Sequence, residues 1–262
     1  MFARLWGRVA RTAVSVLLIA VALVVGTILV VVGTLALTGT AGSIATMVVV
    51  IVTLAELGFV ATAGVFLLAA SDGREYMRVA RPSRRDWRYV VGGLVATYAV
   101  AAAAALASRA FDGASDLFST GDLKSANGLG STGEFESAGG LAGGSLETAL
   151  LALVVVSVLV IGPSEELLFR GVIQRYLSGV FSQASAILVA SVLFTAVHAP
   201  TFALAASGLT SVAAAATIFA ISTMLGYTYA RTDNLVVPTV VHGVYDATLF
   251  GLVYLALRTG LF

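Results

Sequence analysis

The chain has 262 residues, 59% of them hydrophobic and 11% charged, with a formal net charge of +1 and a mean hydropathy of +0.99. A soluble domain of this length carries far more charge, so the composition predicts an integral membrane protein. The arginines fall in loops and at helix ends and not on a face interleaved with aromatics, so no nucleic-acid partner is implied. The absence of cysteine excludes disulfides, thiolate nucleophiles and cysteine metal sites.

In chain order, Arg4, Arg8 and Arg11 precede an uncharged run from Thr12 to Leu37, too long for a signal-peptide core and read as an uncleaved first span. A second span covers about Ile44 to Ala70, interrupted only by Glu56, which is read as a packing or cavity group. The loop Ser71 to Arg88 holds six arginines and is cytoplasmic by the positive-inside rule. A third span follows from Tyr89 to Ser108, with a poly-alanine run suited to close helix packing.

Residues 110–144 are rich in Gly and Ser and carry Asp112, Asp116, Asp122, Glu134 and Glu136 against Lys124, which predicts a flexible, acidic, external loop. It divides the chain into an N-terminal three-span region (1–109) and a C-terminal four-helix unit (145–262). A fourth helix starts near Ser145 and runs towards Leu177, where Ser178-Gly179 supplies a stop. Pro163 predicts a kink or a restart within it, just before Glu165. Further spans are expected over Phe181 to Val197, Leu204 to Ala230 and Leu235 to Leu257. The fold class is therefore all-α: a polytopic helical membrane bundle of about seven spans in the cell membrane, with the N-terminus cytoplasmic.

Adjacent carboxylates Glu165 and Glu166 and the cation Arg170 fall in this apolar C-terminal unit, and an ionisable residue in a span is a functional-site candidate by default. The chain has two histidines, His198 and His242. Glu165 and His198 each lie about 16 residues from the turn at Phe181, roughly 25 Å along either helix, so they share one depth. His242 and Asp246 are four apart and occupy one face of the last helix. Glu, His and Asp in a membrane cavity can activate a water by general-base catalysis, with a histidine donating to a developing oxyanion. Alternatively, two imidazoles and a carboxylate can hold zinc. Both routes end in hydrolysis of an acyl bond.

Taken together, Glu165-Glu166-x-x-x-Arg170, Phe194-x-x-x-His198 and His242-x-x-x-Asp246, in this order on successive spans, resemble the three motifs of the CAAX protease and bacteriocin-processing (CPBP, Abi) family of intramembrane endopeptidases, whose eukaryotic branch is Rce1-like. The resemblance covers roughly residues 146–257. It implies that Glu165 and His198 activate water, that Glu166 and Arg170 support the site, and that His242 and residue 246 form an oxyanion hole. It favours a mechanism without metal or other cofactor, acting on a membrane-embedded or lipidated peptide. Many family members have Asn where this chain has Asp246, and an ionised carboxylate does not donate. Phe194 is expected to pack beneath His198.

Two other function classes fit the same residues. Intramembrane Glu, His and Asp also mark proton-coupled transporters, although no inverted repeat is visible here and the ionisable groups cluster in the C-terminal half. A protease-like scaffold that binds a partner peptide without cutting it is the other.

Overall fold

The computed structural model describes residues 2–37, 43–71, 73–110, 144–201 and 209–260, and these contain helices and no strand. Six of the helices are long and apolar enough to cross a membrane, and a seventh apolar helix is shorter. The chain is a polytopic membrane bundle, and its surface is inverted relative to a soluble protein. Leu68 is 90% exposed while Glu166 is fully buried, an arrangement that is stable only where lipid covers the apolar outside.

Helix α1 (Phe2–Leu37) and helix α2 (Ile44–Ala69) pack side by side, with Ser43 capping the start of α2. Their contact uses small residues. A Cβ on Gly58 would run into the Ala22 carbonyl oxygen, and one on Gly26 would meet that of Ala55 at 2.7 Å. Glycine here lets two backbones touch, which is how membrane helices gain packing without a hydrophobic driving force between them. Arg11 reaches from α1 to the Tyr176 carbonyl at 2.5 Å and lies over the Tyr176 ring.

A short helix α3 (Gly73–Tyr76) leads to α4 (Arg84–Ala110), which starts in a capping box. Ser83 Oγ accepts from the Asp86 N–H at 3.2 Å, and Asp86 accepts from the Ser83 N–H at 2.9 Å. Between α3 and α4 the chain is fastened to a distant turn. Asp233 pairs with Arg78 at 2.5 Å and with Arg175 at 2.7 Å, while Asn234 exchanges hydrogen bonds with the backbone of Ala80. Asp233 takes φ 48°, a left-handed conformation that Asp tolerates better than most residues. The acidic segment expected over residues 110–144 lies outside the described residues, save for its ends.

The fourth long helix, α5, differs from expectation. It comprises Gly144–Val156, a π-helical Ser157–Ile161, Gly162–Glu166, a second π-helical stretch Leu167–Gln174, and Arg175–Ser178, without interruption. Pro163 therefore neither breaks nor restarts it. The wider π turns on either side absorb the missing donor and the ring, as inserted residues commonly do at functional sites.

Helix α6 (Gln183–Val197) has 15 residues and is capped by Ser182. At about 22 Å it is shorter than the hydrocarbon core, unlike the expected full span. Helix α7 (Leu209–Thr232) and helix α8 (Val236–Thr259) complete the bundle. One buried cluster joins Phe59 and Ala63 of α2 to Phe169 and Ile173 of α5 and Phe194 of α6. A second joins Val90 of α4 to Leu225 of α7 and Val241 and Tyr245 of α8. Helices α5 and α8 meet at Gly162 and Gly243, where a Cβ on Gly243 would lie 2.9 Å from the Ser157 carbonyl oxygen. This seam draws the acidic motif of α5 onto the histidine of α8.

Candidate active site

Glu165 and Glu166 are consecutive, so their side chains leave α5 about 100° apart. They nonetheless grip one ring. Glu166 Oε1 lies 2.8 Å from His242 Nδ1, whereas Glu165 Oε2 lies 3.6 Å from His242 Nε2. The other Glu165 oxygen, Oε1, faces His198 Nε2 at 3.7 Å. The two histidines thus flank Glu165, and the depth match inferred from residue counting holds in space.

His198 closes the end of α6, and its Nδ1 lies 2.9 Å from the Phe194 carbonyl. A carbonyl only accepts, so Nδ1 carries the hydrogen and Nε2 presents its lone pair towards Glu165 in the neutral ring. Phe194 stacks on His198 at a centroid distance of 4.5 Å and meets His242 edge-on at 5.9 Å. It therefore packs against both imidazoles, not only the one expected.

Behind this layer Glu166 is fully buried and receives Arg170 Nε at 3.2 Å on its second oxygen. Arg170 continues across to α7, donating to the Ser222 carbonyl at 3.1 Å and its hydroxyl at 3.0 Å, and its guanidinium lies over the Phe194 ring. An unbroken polar chain runs Ser222, Arg170, Glu166, His242, and such a chain fixes both the ring orientation and the nitrogen that holds the proton. Asp246 Oδ2 lies 3.3 Å from His242 Nε2, one turn along α8. Among the described residues, no group of three or more His, Asp or Glu side chains is arranged as a metal site.

All seven residues singled out from the motifs, Glu165, Glu166, Arg170, Phe194, His198, His242 and Asp246, meet in one layer. Two neighbours, Ser222 and Ser164, were not singled out, and Glu56 is read from the sequence only as a packing or cavity group. Ser222 anchors Arg170, and Ser164 hydrogen-bonds Glu56, which α2 brings against the acidic motif from 108 positions away in sequence. The isolated charge in an apolar span was the available signal for Glu56, but nothing local indicates its partner.

Fold and site define a class: a polytopic α-helical membrane protein with a buried glutamate–histidine centre. Residues 147–248 match the family described as Rce1-like, type II CAAX prenyl endopeptidase Rce1-like, and the resemblance carried by the three motifs is thereby shown for this segment. The match spans α5 to most of α8 and holds every motif residue from Glu165 to Asp246, while α1, α2 and α4 lie outside it. No curated protein and no solved structure matches the chain.

Proposed function

We propose that the chain is an intramembrane endopeptidase that hydrolyses a peptide bond of a membrane-embedded or lipidated substrate. The observation that carries this reading is Glu165 held between two imidazoles, 3.7 Å from His198 and 3.6 Å from His242, with no direct hydrogen bond to either. Those separations exceed a hydrogen bond and leave the Glu165 carboxylate able to accept from a water that the imidazoles adjoin. Glu165 takes one proton of that water as its oxygen attacks the scissile carbonyl, and His198, with Nδ1 fixed on Phe194, accepts through Nε2 and steadies the nucleophile. The proton passes to the departing amine as the carbon–nitrogen bond breaks. His242, whose Nδ1–H is held by Glu166, stabilises the developing oxyanion through Nε2–H as a doubly protonated imidazolium, since in the neutral ring Nε2 carries only a lone pair. In this reading Asp246 either donates as a neutral acid or orients His242 as a carboxylate.

The centre works without metal. Residues 145–262 form the catalytic unit, and residues 1–109 form the membrane region against which α2 supports it. The arginine-bearing end of the bundle, with Arg78, Arg81, Arg84, Arg85, Arg88, Arg175 and Arg231, is cytoplasmic, which also places the N-terminus inside. The test is cleavage of a farnesylated peptide reporter in proteoliposomes. Glu165→Gln and His198→Ala abolish it while remaining monodisperse, and full cleavage by Glu165→Gln overturns the assignment.

A further inference from the structure

Glu56 stands 8% exposed in the middle of a membrane-spanning helix, a position that costs several kcal/mol for a carboxyl group unless something uses it. It lies outside the segment that matches the family. Its turn of α2 is pressed onto α5. Phe59, three residues on, contacts the Phe169 ring at 6.1 Å, and the Glu56 carboxyl meets the hydroxyl of Ser164, the residue before Glu165. Glu56 is also within electrostatic range of Glu165, His242 and Asp246.

Ser164 has one hydroxyl proton and two neighbours that call for it, Glu56 Oε2 and the Ile161 carbonyl at 3.0 Å. Both contacts are satisfied together when Glu56 donates to the serine oxygen and the serine donates to Ile161. This arrangement also avoids a further ionised carboxylate in a dry layer. That layer already holds Glu165 and Glu166 on α5 and Asp246 on α8, against Arg170 and the two imidazoles, while α7 offers Arg170 only the uncharged Ser222. The chain Glu56, Ser164, Ile161 bridges Pro163 at the C-terminal end of the π-helical stretch Ser157–Ile161, next to Glu165, where the backbone ladder is already irregular. The glycine seam with α8 packs one face of that turn and the Glu56–Ser164 contact holds it from α2, while Glu165 itself has no direct hydrogen bond on Oε2.

We propose that Glu56 is a positioning residue of the site: through Ser164 it holds the irregular turn of α5 that aims Glu165 between His198 and His242. The inference rests on the proteolytic reading for its kinetic consequence, but its geometric content stands apart from it. It makes α2 part of the site, so the family-matched segment alone lacks one of the supports of its base.

The full chain in proteoliposomes, with the farnesylated reporter, gives the kinetic arm. Glu56→Ala lowers kcat on the order of 10²-fold, the loss typical of a base displaced by about an ångström, with KM little changed. Glu56→Gln, which keeps a donor of the same length, restores most of that rate, whereas Glu56→Asp, one methylene short, does not. The second arm needs no activity. The chain has two histidines, so a ¹⁵N-histidine label gives two imidazoles to follow by NMR. Glu56→Ala and Ser164→Ala each shift the His198 and His242 resonances as Glu165→Gln does, and Glu56→Gln leaves them near the parent. If Glu56→Ala does not fold, Ser164→Ala carries the same comparison from the other side of the bond. Parent-like kcat and imidazole resonances in Glu56→Ala or Ser164→Ala overturn the positioning role. Cleavage by Glu165→Gln overturns the proteolytic reading instead, and the NMR comparison still decides the geometry.

Discussion

Glu165 and Glu166 are neighbours in sequence and chemically identical, yet the structure assigns them opposite consequences when each is changed to glutamine. Glu166 has no exposed surface and is held by two bases, His242 Nδ1 at 2.8 Å and Arg170 Nε at 3.2 Å. Glu166→Gln leaves the buried Arg170 guanidinium without its counter-charge, its hydrogen bonds being those to the Ser222 oxygens, and removing one member of a buried pair costs about 3–5 kcal/mol. For a chain of this size that is a fall in melting temperature of about 6–20 °C. Glu165 has no such partner, its Oε2 being without a hydrogen bond and its nearest nitrogens 3.6 and 3.7 Å away. Glu165→Gln removes an unpaired buried carboxylate and leaves melting unchanged or raised. Following monomer retained by size exclusion after heating in detergent reads both. The double variant Glu166→Gln/Arg170→Met recovers part of the loss, because no unpaired charge remains. Equal melting for the two single glutamine variants refutes the division between a base and a structural clamp.

Three further outcomes follow from the same geometry. At position 246, Asp246→Asn retains cleavage and Asp246→Ala loses it if the residue donates to the oxyanion, and the donor role fails if both are equally inactive while folded. Purified protein contains less than stoichiometric zinc and keeps activity after dialysis against a strong chelator, whereas one tightly bound metal per chain with activity lost on its removal favours a two-imidazole metal site instead. Single cysteines at Ser83 and Ser131, in a chain that has none of its own, label from opposite sides of the membrane with an impermeant maleimide, and labelling from one side rejects the proposed orientation.

The bundle was legible in composition and in the spacing of uncharged runs, because lipid demands about 20 apolar residues per crossing regardless of tertiary detail. The meeting of Glu165 with His198 was legible for a simpler reason: two helices joined by a tight turn keep register by residue count. Rotation about each helix axis was not. Whether Glu165 or Glu166 touches His242 depends on extra backbone within Leu167–Gln174 and Ser157–Ile161, and no residue in those stretches marks a π turn. Of the kink or restart expected at Pro163, the restart does not occur, since proline predicts a disrupted ladder but not how neighbouring turns absorb it. Glu56 and Ser222 were unreadable as site neighbours because their partners come from packing between distant spans.

The glycine seam between α5 and α8 also constrains traffic. Where Gly243 meets the Ser157 carbonyl, two backbones abut with no side chain between them that could swing aside. Parting those helices would break the contact along its length, so this groove is a welded joint and not a lateral gate. Exposure points elsewhere. The side chains of His198 and Asp246 are 27% and 21% exposed, against 7% for Glu165 and 8% for His242. In the proteolytic reading proposed above, a peptide arriving from the lipid approaches on the flank shared by the end of α6 and the face of α8 that carries Asp246, and it meets Glu165 last.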